Sequence, residues 1–166
     1  MNPEQSLKFG MQVPAIPFIE ADEDNPMPSL NHSRVAQNIG VALHAYADRY
    51  DVFQQLSIRL NGWPSIPDIA VYPKRTEPID WLADRDEVTE PPLLVIEILS
   101  PHQVVQNVVD KIRKYLQLGT KSCWLVEPAT RVVSVFPASG GSRAFAEGDV
   151  KDDSLAISIP LREIFR

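Results

Sequence analysis

The sequence predicts an α/β protein, on three observations. Residues 93–99 form an apolar run with a single charge, Glu97, the length and composition of a strand buried on both faces. Two stretches carry apolar residues at helical spacing, one before this run and one directly after it. Short runs rich in Val, Ile and aromatics, bounded by Asn-Gly, Pro and Gly, supply further strands.

A chain of 166 residues, 44% hydrophobic and 23% charged, can build one domain with a real core. The single cysteine, Cys123, excludes an internal disulfide framework and a cysteine-cluster zinc site, and fits a cytoplasmic setting. No stretch approaches the ~20 apolar residues of a membrane span, and the N-terminus lacks the pattern of a signal peptide. A net charge of −6 argues against a protein that coats nucleic acid through a basic surface. It leaves a nuclease open, because metal-binding carboxylates add negative charge that bound cations offset.

Residues 1–28 hold five of the 15 prolines and the acidic cluster Glu20, Asp22, Glu23 and Asp24. They are expected to form an irregular arm, with a short strand near residues 16–19. A helix is expected from residues 29–33 to about Tyr50, capped by Ser29 or Asn31. Val35, Ile39, Ala42, Leu43, Tyr46 and Tyr50 share one face, and His32 projects onto that face one turn earlier. With no second His or Cys at ligand spacing, His32 is expected to be a packed or capping histidine. His44 falls on the solvent side.

A hairpin follows, residues 52–60 and 66–72 joined through Asn61-Gly62. Residues 73–92 form a long acidic, proline-rich loop, in which Trp81 and Leu82 are expected to pack on this domain or on a partner. After the strand at 93–99, Ser100 is a cap candidate and Pro101 suits a first helical turn. The second helix spans about 103–118 and ends at Gly119. Strands are expected at 122–126 and 132–136. The tail offers a strand near 144–146, the apolar pattern Leu155, Ile157, Ile159, and a final turn at 161–165. No internal repeat or second domain is visible, so residues 29–166 are expected to form a single domain.

Glu97 carries the chemical argument. A carboxylate in a buried strand must be neutralised by a proton, a cation, a metal ion or a hydrogen-bond network. Asp68, on the second arm of the hairpin, could lie beside it and share a divalent ion, and oxygen ligands favour Mg²⁺ or Mn²⁺. Lys111 could supply a cation. On the wheel of the second helix it falls on the apolar arc of Val104, Val105, Val108, Val109, Ile112, Tyr115 and Leu116, while Asp110, Arg113 and Lys114 fall outside. The blander readings are a snorkelling lysine and a purely structural Glu97–Lys111 ion pair.

Pro67-Asp68, then Glu97 in an apolar strand, resembles the PD-(D/E)XK nuclease superfamily. Pro92-Leu93-Leu94-Val95-Ile96-Glu97-Ile98-Leu99-Ser100-Pro101, then Asp110-Lys111-Ile112-Arg113-Lys114-Tyr115, Gly119 and Trp124-Leu125-Val126-Glu127-Pro128, is similar to one bacterial branch. That branch is the restriction-endonuclease family once known only as a domain of unknown function. The resemblance spans about residues 29–137. It implies a restriction-endonuclease-like α-β-β-β-α-β core with a mixed central sheet flanked by helices, and Mg²⁺- or Mn²⁺-dependent cleavage of DNA. Asp68 and Glu97 would hold the metal, with the backbone carbonyl of Ile98 as third ligand and Lys111 as the catalytic cation. The superfamily's usual lysine position is Leu99 here; in this branch the lysine comes from the following helix. Glu20 could add an acid from the N-terminal arm. Cutting both strands of DNA would call for a homodimer, to which apolar residues in the tail and loop also point. The competing reading is a catalytically inactive binding or interaction module on a nuclease fold.

Overall fold

Ser29 is extended and its hydroxyl accepts the amide of His32 at 3.2 Å, which starts α1 (Leu30–Leu43). The computed structural model describes residues 28–166, so the strand expected at 16–19 and Glu20 lie outside the described residues. A 3-10 turn at His44–Tyr46 closes α1 short of Tyr50, which instead opens β1 (Tyr50–Gln54). The helical spacing ran on because Tyr46 and Tyr50 pack on the same apolar cluster as α1, one from the turn and one from a strand.

The expected hairpin is split in two. Gln55, at φ 50°, bends the chain between β1 and β2 (Ile58–Leu60). Asn61 and Gly62, at φ 48° and 84°, make the tight turn into β3 (Trp63–Ser65). Ile66-Pro67-Asp68 then separates β3 from β4 (Ile69–Pro73), which pairs antiparallel with β1. Proline lacks the ladder donor, so the break falls at Pro67.

β5 (Leu94–Ile98) follows the long loop, then α2 (Val105–Gln117) and β6 (Ser122–Glu127). Val104, not Ser100, is the residue before α2; Ser100 and Pro101 belong to a separate turn closed by Gln103. Gly119, at φ +109°, ends the helix where a side chain would meet Pro91. β7 (Val132–Pro137), β8 (Arg143–Phe145), β9 (Asp149–Asp152), β10 (Ile157–Pro160) and α3 (Leu161–Ile164) complete the chain.

Six strands form one sheet in the order β1-β4-β5-β6-β7-β8. All neighbours are antiparallel except β5 and β6, so the sheet is mixed, and α2 is the crossover that parallel pairing requires. The order α1-β1-β4-β5-α2-β6 is the α-β-β-β-α-β core with helices on both sides. Among the described residues no helix is long and apolar enough to cross a membrane.

β5 divides the core by its alternation. Leu94, Ile96 and Ile98 join Val35, Ile39 and Leu43 of α1, together with Trp124 and the β9–β10 hairpin. Val95 faces Val108, Ile112 and Tyr115 of α2, with Ile58 and Leu60 from the small hairpin. Trp124 also donates its indole N–H to the buried carboxylate of Asp152 at 2.8 Å, which ties β9 to the sheet.

The first layer is closed at its end by Asn38, whose buried amide donates to the carbonyls of Ile164 at 2.9 Å and Arg166 at 3.3 Å. Asn38→Ala should therefore destabilise the protein by about 1–3 kcal/mol, because a buried carbonyl loses its donor. Urea melts followed by Trp fluorescence measure this directly, and an unchanged midpoint would mean that water replaces the amide without cost.

Candidate active site

The register of β4 on β5 pairs Ile69 with Ile96 and Ala70 with Val95, so one step further Asp68 comes opposite Glu97. Asp68 lies one residue beyond the ladder, so its carboxylate is not bound to one face: it meets α1, and its charge still acts on Glu97. Asp68 stands at the mouth of β4, where the ladder ends, and its Oδ2 takes the backbone N–H of Ile98 at 2.7 Å. In a strand the N–H and C=O of one residue point to the same side, so the Ile98 carbonyl faces the Asp68 edge as well.

Glu97 faces α2 and is 5% exposed. Lys111 reaches it from one turn before Tyr115, with Nζ 2.9 Å from Oε1 and 3.5 Å from the Ile66 carbonyl. Among the described residues Oε1 has no hydrogen bond of good direction, and the Lys111 charge lies against it. The lysine side chain keeps 28% of its surface in water, and its ammonium lies 5.9 Å from the Tyr115 ring centre. Tyr115 is buried beneath it, its hydroxyl hydrogen-bonded to Ser65 Oγ and its ring edge-on to Trp63.

Burial pushes the Glu97 carboxyl up to about 7; Lys111 opposes this, and the negative charge of Asp68 adds to it. The Tyr115 hydroxyl is driven far above its ordinary range by burial and then by the Glu97 charge, so it stays protonated. Burial also raises the Cys123 thiol, which removes it as a nucleophile.

The three residues singled out in the sequence thus come together, with Ile98 between them. Sequence reasoning missed a fourth. His32, 5% exposed, points its Nε2 at Asp68 Oδ1 across 3.1 Å from the first turn of α1. It is packed, as expected, but onto a carboxylate. The available signal was a histidine on the buried face of a helix, a position that needs a polar partner.

Among the described residues no group of three or more His, Cys, Asp or Glu converges as a closed cage for a metal ion. Two carboxylates and a carbonyl at neighbouring strand ends would suit a hard divalent ion. The buried Glu97 Oε1, with no directed hydrogen bond, fits the same use.

The mixed sheet flanked by helices is the fold of the PD-(D/E)XK-like nuclease branch. Residues 20–164 match the Uma2 family, described as putative restriction endonucleases, and the chain belongs to that family. Its fold is similar to that of a putative nuclease of DUF820 from Anabaena variabilis, with a TM-score of 0.74 and 22% identity over 89% of this chain and 93% of that one. No curated protein matches the chain.

The raised Glu97 carboxyl has a signed consequence. Between the ordinary 4.5 and about 7 the folded protein holds a proton that the unfolded chain has released. Stability from this group is therefore complete below that window and is lost as pH rises through it, by on the order of 3 kcal/mol. Urea midpoints measured without divalent metal should fall from pH 5 to pH 7.5. Glu97→Gln should flatten that slope and match or exceed the parent's stability at pH 7.5, because Lys111 can turn to water. An equal slope in both proteins would show that Glu97 titrates normally.

Proposed function

We propose that this chain is a divalent-metal-dependent endonuclease that hydrolyses DNA phosphodiester bonds, with its site in the one domain that spans residues 29–166. Asp68, Glu97 and the Ile98 carbonyl hold Mg²⁺ or Mn²⁺, and Lys111 is the catalytic cation. The observation that carries the proposal is the buried Glu97 carboxylate, set opposite Asp68 and met by a lysine from the neighbouring helix. A purely structural ion pair gives no reason for a second carboxylate that raises the proton affinity of the first. Family membership supports a nuclease and a DNA substrate.

A divalent ion here supplies positive charge beside the phosphate and acidifies water. Lys111, partly in water, turns from Glu97 toward the phosphate and stabilises the extra negative charge of the transition state. Tyr115 and Ser65 hold the wall against which the lysine stem lies. The water oxygen bonds to phosphorus and gives up a proton to solvent, one ester P–O bond breaks, and the departing oxygen takes a proton from solvent. One site cuts one strand, so a double-strand break takes two copies, and a homodimer acting in the cytoplasm is part of this proposal.

A second reading, a catalytically inactive interaction module, is favoured by Trp81 and Leu82. They stand 85% and 99% exposed on an acidic loop instead of packing on the domain. Cleavage of supercoiled and single-stranded DNA with Mg²⁺, Mn²⁺ or EDTA separates the two. The nuclease reading requires nicking that EDTA abolishes. Lys111→Ala should lower kcat by roughly 10²–10³, as loss of one transition-state donor does. Asp68→Asn and Glu97→Gln should remove cleavage altogether. If Lys111→Ala cuts as fast as the parent at equal metal, the lysine only covers apolar surface.

A further inference from the structure

We propose that His32 is a positioning residue for Asp68. Its Nε2–H clamps one oxygen of the carboxylate, the backbone of β5 clamps the other, and the site's affinity for a divalent ion depends on this double hold. The proposal rests on Asp68 being a ligand of that ion.

The hydrogen that joins the two residues is placed by their geometry. Nε2 lies 3.1 Å from Asp68 Oδ1, and among the described residues the buried Nδ1 has no hydrogen-bond partner. A bare Nε2 would set its lone pair against that of the carboxylate oxygen, whereas an Nε2–H gives Asp68 a donor. The geometry therefore places a hydrogen on Nε2.

Asp68 is then fixed from two independent layers. Oδ1 is held by α1 through His32, and Oδ2 by the Ile98 N–H at 2.7 Å. Each oxygen keeps a lone pair, yet the carboxylate cannot rotate without losing a bond. Without His32 the carboxylate pivots on the Ile98 contact alone, since the Gln55 N–H holds only the Asp68 backbone carbonyl, at 3.2 Å. The His32 side chain is 7% exposed, so the imidazole meets Asp68 from the buried side. The histidine is itself indexed by the helix cap, because its own amide is the donor that Ser29 accepts.

The test uses Mn²⁺ as the probe on the full chain, with binding counted by the electron paramagnetic resonance signal of the free ion. His32→Leu removes the donor. In His32→Gln the amide nitrogen reaches about as far as Nε2, and in His32→Asn only about as far as Nδ1. His32→Leu should weaken Mn²⁺ binding roughly tenfold to a hundredfold, as loss of a ligand's hydrogen-bond partner does. His32→Gln should restore most of that affinity and His32→Asn should not, while metal-free melts of all three stay cooperative. Parent-like binding by His32→Leu, or no rescue by His32→Gln, overturns the proposal. So does nitrogen modulation of bound Mn²⁺ in pulsed measurements on the parent, which would make His32 a ligand.

A second measurement needs neither metal nor the substituted histidine. The imidazole ¹⁵N spectrum of the metal-free parent at alkaline pH should show His32 protonated at Nε2, with that signal shifted in Asp68→Asn. A proton on Nδ1 instead overturns the positioning role. Should the parent bind no Mn²⁺, the metal reading falls, and this spectrum alone upholds or overturns the clamp on Asp68.

Discussion

Glu97 loses its water because β5 is covered on both faces, and the surrounding architecture can be followed from that single desolvation. The strand is central because β4 lies on one side and β6 on the other. β6 is parallel to it, so the chain must cross over, and the crossover helix is laid along the face from which Glu97 projects. A helix in that place must be apolar toward the sheet except where it meets the carboxylate. Lys111 is that exception, with Val108, Ile112 and Tyr115 around it. The cation keeps the carboxyl's pKa lower than burial and Asp68 would set it, though still raised, so the charge stays available near neutral pH.

Much of this was legible in the sequence where the signal is local. Asn61-Gly62 marked its turn because both residues tolerate positive φ. The α2 wheel picked Lys111 because its period is fixed by the backbone, although Val104 and Val105, placed on the same arc, are 58% and 43% exposed at the helix start. Other features hid behind non-local contacts. β9 escaped notice because one of its two inward positions is Asp152, a charge whose partner is the indole of Trp124. The role of His32 escaped for the same reason, since its partner Asp68 belongs to another layer. Periodicity assigns a residue to a face; it does not reveal what waits on that face.

The position of the lysine illustrates a trade between strand and helix. Leu99, at the superfamily's usual lysine position, packs into the α2-side cluster instead. Moving the charge to α2 frees that strand position for packing and places the ammonium on a long stem lying over Tyr115. A strand lysine is aimed by the sheet, whereas a helix lysine is aimed by the docking of the whole helix. Tyr115, Ser65 and Trp63 join that docking to the β2–β3 hairpin, so the small hairpin belongs to the support of the site.

Asp68 takes its two hydrogen bonds from α1 and from β5, and Lys111 arrives from a third segment, α2. No single piece of the chain therefore carries a working constellation. Release of either helix from the sheet takes away a contact of the site while most of the strands stay paired. The site would come apart early on the route to unfolding, and during synthesis it cannot form until α2 follows both carboxylates. Incomplete or partly opened copies of the chain would then lack an assembled site.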